Sequence, residues 1–126
     1  MSGQLWAVVL GAGLGGGLRH AVGHWIVRRL GDGFPWHTLA INVSGAFLLA
    51  LLMGLGAGRE WISPGLRLFL GVGLLGGYTT FSTLAWEGLT MVERGQWLHA
   101  TLYLGCSAML GLFAAVAGLA LGKWLT

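Results

Sequence analysis

Four long apolar stretches dominate the chain, each ended by short polar punctuation. A bilayer-spanning helix needs about 20 largely apolar residues, and residues 5–26, 36–57, 66–92 and 97–121 each meet that requirement. Arg28-Arg29-Leu30-Gly31-Asp32-Gly33 follows the first stretch and reads as a loop by composition. Gly58-Arg59-Glu60 ends the second, and Pro64 is suited to the start of the third. Glu93-Arg94-Gly95 divides the third from the fourth, which Lys123 and Trp124 close. Connections this short make neighbouring helices antiparallel. The pattern therefore predicts an all-α membrane protein, with residues 1–126 forming a single transmembrane domain of four helices.

Composition strengthens this reading. Of 126 residues, 56% are hydrophobic and only 9% charged, and the mean hydropathy is +0.77. A soluble domain usually carries about a quarter charged residues, so the polar shell is missing and lipid is the fitting solvent. The net charge of +3 does not point to nucleic acid, because the seven basic residues are scattered and form no stripe. They stand where apolar stretches end, within reach of headgroups. Trp6, Trp25, Trp36, Trp61, Trp86, Trp97 and Trp124 also fall near span ends, as an aromatic belt does. The first stretch has no basic leader and no small-residue cleavage site, so it reads as a permanent span. Cys106 has no partner cysteine and reads as a small packing residue.

The basic residues are balanced across the membrane. Arg59, Arg67 and Lys123 fall on one face, and Arg28, Arg29 and Arg94 on the other. Orientation normally follows a Lys/Arg excess on the cytoplasmic side, and here there is almost none. Such a chain can insert both ways and pair with itself antiparallel, or a single Arg or the insertion machinery can fix one orientation. Charge counting leaves the two even.

The 24 glycines supply small faces for close helix approach in lipid. Gly11, Gly13, Gly15, Gly16 and Gly17 do so in the first span, and Gly105, Gly111, Gly118 and Gly122 in the fourth. The third span differs. Gly71, Gly73, Gly76 and Gly77 run into Tyr78, Thr79 and Thr80, and a Gly costs about 1 kcal/mol relative to Ala inside a helix. This clustering predicts a break at GGYTTFSTL. Backbone groups freed in lipid must be buried in protein or line a cavity. Freed carbonyls suit a hard cation such as Na⁺, and the N-terminus of the helix that follows suits an anion.

Polar side chains gather around this break. Phe81 and Leu84 share a helix face, with Ser82 and Thr83 between them. Thr38 and Asn42 are four apart in the second span with Ser44 close by, as are Tyr103 and Ser107 in the fourth. Amide, hydroxyl and aromatic-edge donors attract an anion without the trapping effect of full positive charge. An isolated hydroxyl such as Thr90 more simply bonds its own helix, and Asn42 has an interhelical hydrogen bond as its alternative. Arg19, the one basic residue inside a span, either snorkels to the nearer face or forms a positive vestibule. Glu87 stands near a pathway mouth or pairs with a cation. His20 and His24 are four apart but lack a third metal ligand, so they read as interfacial, like His37 and His99. There is no activated nucleophile, carboxylate pair or phosphate loop, which points away from an enzyme. GAGLGGG follows no strand and is no dinucleotide site.

Over nearly its whole length the chain resembles the Fluc (CrcB) family of bacterial fluoride channels. GAGLGGGLRH, TLAINVSGAFLLALL, LGGYTTFSTLAWE and MVERG carry the resemblance, and TTFST together with TLAIN is the most specific part. The resemblance implies a dual-topology homodimer in the inner membrane, passively exporting fluoride. It implies a structural Na⁺ at the dimer centre, held by carbonyls matching Gly76 and Thr79. The fluoride pathway then matches Asn42, Phe81, Ser82 and Thr83, with Tyr103 and Ser107 along the same track; Thr38 is aligned with Asn42. Arg19 matches the basic residue of the first span, and Glu87 an acidic one near a pore end. One departure is Leu84, where many members carry a second Phe. Some relatives pair as heterodimers of two homologous chains, against which the balanced charge here argues mildly.

Two other functions compete. A small proton-coupled multidrug-type exporter needs a membrane-embedded carboxylate, and the first two spans contain none. A non-conducting subunit of a membrane complex would explain the glycines but not the polar track beside a helix break.

Overall fold

The computed structural model describes residues 2–58 and 62–126. Arg59 of the charge count, Glu60 of the second loop and Trp61 of the aromatic belt lie outside the described residues. The described chain is all-α. Its four helical spans, Ser2–Leu30, Trp36–Leu55, Pro64–Glu93 and Trp97–Trp124, are all long and apolar enough to cross a membrane.

The first helix runs through Arg28, Arg29 and Leu30, which composition had assigned to a loop, and stops at Gly31 with φ 79°. Basic residues favour the last turn of a helix, where they face its negative dipole end. Gly95, φ 75°, ends the third span in the same left-handed conformation. There Gly95 N–H donates to Val92 O at 2.9 Å and Gln96 N–H to Met91 O at 2.9 Å, the paired closure that satisfies terminal carbonyls. Pro64 takes the first position of its helix, and Ser63 accepts from Leu66 N–H.

Glycines draw the helices together along two seams. On the first, a Cβ on Gly77 would sit 2.6 Å from Ala12 O, and one on Gly73 would sit 2.9 Å from the Gly11 Cα. Gly11 and Gly15 lie against the Phe69 and Leu74 carbonyls on the same seam. On the second, Gly54 and Gly122 abut the fourth and second helices, where a Cβ on either would sit 2.7 Å from a carbonyl, and Gly118 rests on Phe47 O. Lipid gives apolar side chains no reason to cluster, so this backbone contact is what binds the pairs. Gly13, Gly16, Gly17, Gly105 and Gly111, expected to pack alongside, face open space, where an added Cβ would meet no other helix within 4 Å. Cys106, expected to be a packing residue, is exposed, as are six tryptophans at the span ends.

The third span is interrupted twice. After one α turn its residues Leu68–Leu75 widen into a π-helix, and Gly76–Tyr78 returns to α. Thr79 (φ −80°, ψ 160°) and Thr80 (φ −151°, ψ 117°) are then extended, before helix resumes at Phe81–Glu93. The glycines thus remain helical, and the break falls on two β-branched threonines beyond them. Thr80 N–H, which in a continuing helix would bond Gly76 O, donates instead to Asn42 Oδ1 at 2.7 Å. Asn42 Nδ2 returns the bond to Thr80 O at 2.9 Å. Thr80 Oγ1 then caps the resumed helix by accepting from Thr83 N–H at 3.2 Å.

Two substitutions test this account. Gly77→Val should lower thermal stability in detergent by about 1–3 kcal/mol through overpacking, while Gly13→Ala, in open space, should not. Asn42→Leu strands the Thr80 N–H and C=O, each worth about 1–3 kcal/mol when buried unpaired. Its unfolding temperature should fall further than that of Ser82→Ala, whose residue is exposed.

Candidate ion pathway

The break separates two clefts. The first, about 430 Å³, lies between the first two helices and the break, and is lined by Arg19, His20, His24, His37, Thr38, Thr80 and Thr83 among others. The second, about 400 Å³, opens on the other side against the fourth helix. Asn42, Gly45, Gly76, Thr79, Phe81, Leu84 and Ser107 line it. Phe81 and Thr83, two residues apart, therefore face different clefts. Within one chain the expected pathway residues do not form a single track.

Most polar groups at the break are committed. Asn42 spends its carboxamide on Thr80. Thr79 Oγ1 donates to Leu75 O at 3.0 Å, and Thr80 Oγ1 donates to Thr83 Oγ1 at 3.0 Å. Arg19 does not snorkel: its Nη1 donates to Thr79 O at 3.1 Å, one of the carbonyls expected to hold a cation. Ser44 donates to Ile41 O and lies 3.0 Å from the Tyr78 hydroxyl. Ser82 is exposed and stands 3.3 Å from Thr80 Oγ1.

Two groups on the second cleft are unspent. Phe81 is 81% exposed, so its ring edge is open. Ser107 Oγ is buried yet has no hydrogen-bond partner among the described residues. A buried hydroxyl without a partner carries a desolvation cost unless something else meets it. Leu84 lines the same cleft with an aliphatic surface.

Glu87 gathers a separate cluster from three helices. Thr38 Oγ1 donates to its Oε1 at 2.8 Å, Tyr103 OH donates to its Oε2 at 2.6 Å, and His37 Nε2 stands 3.4 Å from Oε1. Phe34, in the loop before the second helix, packs its ring edge-on against Tyr103 at 5.3 Å. Glu87 is thus held inside the bundle and paired to a histidine. His20 and His24 stack with ring centroids 6.5 Å apart, and no group of three or more metal-ligating side chains exists among the described residues. His99 is exposed near the start of the fourth helix.

The sequence reading overlooked Thr80 and the pairing of His37 with Glu87. Thr80 had a readable signal, since Thr is a favoured residue at the position just before a helix start. The His37–Glu87 contact had none, because 50 residues and an intervening turn of chain separate the two.

Comparison with known proteins bears on what this arrangement serves. A family model described as CrcB-like protein, Camphor Resistance (CrcB), matches residues 6–119. A protein named fluoride-specific ion channel FluC from Chloroflexus aurantiacus is 41% identical over 121 residues, covering 96% of both chains. Proteins of that name from Sphingopyxis alaskensis and Acidobacterium capsulatum are each 44% identical, over 122 and 119 residues, covering 97% and 94% of both chains. With similarity running from the first helix to the end of the fourth, the chain belongs to the CrcB (FluC) family.

Proposed function

We propose that this chain is a subunit of a passive fluoride channel, not an enzyme, and that two antiparallel copies form the conducting unit in a bacterial inner membrane. Near-full-length relatives named fluoride-specific ion channels support the ion. The observation that carries the pathway is the second cleft, which an exposed Phe81 ring and a buried, unpartnered Ser107 hydroxyl both line. Fluoride is small and hard, and hydroxyl hydrogens and ring edges give it donors without a trapping charge. Six of the seven basic residues are split three and three between the two faces, with Arg19 inside a span, and this balance suits insertion in both directions.

A second copy would also complete a sodium site. Gly76 is exposed, and its carbonyl does not receive the Thr80 N–H that a continuous helix would give it. The Thr79 carbonyl accepts from Arg19 and keeps a second lone pair. One chain offers these two oxygens, fewer than a hard cation takes; two copies facing each other offer four. The ion would serve to hold the two breaks together.

Fluoride efflux from liposomes holding the purified protein should far exceed chloride efflux; equal rates for the two ions would remove the proposal. Phe81→Ile should slow fluoride by about tenfold, the equivalent of about 1.4 kcal/mol, and Leu84→Phe should speed it by adding a ring edge. Tags on the two termini should each be accessible from both sides of the membrane, whereas access from one side only would sink the antiparallel pair.

A further inference from the structure

We propose that His37 makes anion passage through this chain depend on pH, because its protonated ring neutralises Glu87. The inference rests on the channel reading above and adds a positioning residue to it.

His37 is the second residue of the second helix, and its ring joins both sides of a junction. It lines the first cleft with Arg19, His20 and His24 of the first helix. It also lines a smaller cleft of about 230 Å³ with Glu87, Asp32 and Arg94. From the fourth helix Tyr103 reaches the same carboxylate. These are the titratable and charged groups around the ring. Its Nε2 faces Glu87 Oε1 at 3.4 Å, while its Nδ1 is buried without a partner among the described residues.

That geometry gives the two protonation states opposite effects on an anion. Nε2 faces a carboxylate, so in the neutral ring it carries the hydrogen and Nδ1 presents a bare lone pair. An anion near this cluster then meets the Glu87 charge and the field of that lone pair. The Thr38 and Tyr103 hydroxyls do not offset them, since both donate to Glu87. Adding a proton places it on Nδ1. The His37–Glu87 pair then becomes neutral overall. Imidazole changes charge between about pH 5 and 8. Passage should therefore be slow above that range and faster below it.

The test is fluoride efflux from liposomes of the full chain, with the same pH on both sides, stepped from about 8 to about 5.5. Protein-free liposomes at each pH give the leak of neutral HF to subtract. Wild-type flux should rise on the order of tenfold across the range. His37→Gln should flatten the profile, His37→Lys should hold flux high throughout, and Glu87→Gln should flatten it by removing the charge His37 offsets. The pair His20→Gln and His24→Gln should keep the wild-type profile. A flat wild-type profile, or a wild-type profile retained in His37→Gln, overturns the role of His37 and leaves the channel intact. Absence of fluoride flux at every pH overturns the channel reading and this inference with it.

Discussion

The two hydrogen bonds between the Asn42 carboxamide and the Thr80 backbone are the constraint on which the rest of the molecule depends. Hydrocarbon offers no partner to a freed N–H or C=O, so a helix can be broken at depth only where protein supplies one. Asn42 meets both groups of Thr80 with one side chain. Thr80 in turn caps the resumed helix, and Arg19 meets the carbonyl of Thr79. This division explains why the most polar residues at the break are not the ones with spare donors. Asn42 and Thr80 keep the break stable. The unspent groups, Phe81 and Ser107, lie beside it.

The glycine seams decide which surfaces remain open. The first helix closes on the first half of the third span, and the second helix closes on the fourth. Neither seam covers Gly76, Thr79 or Phe81, which stay wholly or partly exposed. An exposed Phe in lipid costs little, since acyl chains are as apolar as the ring. Exposed backbone at a helix break is different, because an unpaired carbonyl in hydrocarbon costs several kcal/mol. The polar backbone on this face, more than the aromatic on it, argues for a second chain.

What the sequence disclosed follows from what leaves a local trace. Length and hydropathy are local, so the four helices were visible, although Arg28 and Arg29 were placed outside a helix whose dipole in fact favours them. Glycine propensity pointed to a break near the right place for an incomplete reason. Gly73 and Gly77 stay helical because they let the backbone approach Gly11 and Ala12, and Thr79 and Thr80 extend because Asn42 takes the next N–H. The π-helical stretch at Leu68–Leu75 leaves no mark in an apolar sequence. Thr38, Glu87 and Tyr103 were each singled out, but their convergence was not, since it depends on how three separate helices rotate about their axes. Pathway donors and structural donors are the same residue types, and only partners distinguish them.

Two charges within the spans, Arg19 and Glu87, show how an anion could be drawn in without being held. Arg19 and the amino-terminal dipole of the helix resuming at Phe81 both bring positive potential to the break. Deep in a low-dielectric wall such a pair would bind an anion too tightly for it to leave, and conduction requires sites that release as readily as they accept. Arg19 is partly spent on a carbonyl, which lowers its pull. Glu87, six residues beyond Phe81 on the same helix, sets an opposing charge beside Thr38 and Tyr103. Along that helix the local potential changes from attracting to repelling an anion within a few residues. The neutral groups still free, the Ser107 hydroxyl and the Phe81 ring edge, line the second cleft, which neither of these charges borders, so a path along them avoids both the trap and the barrier.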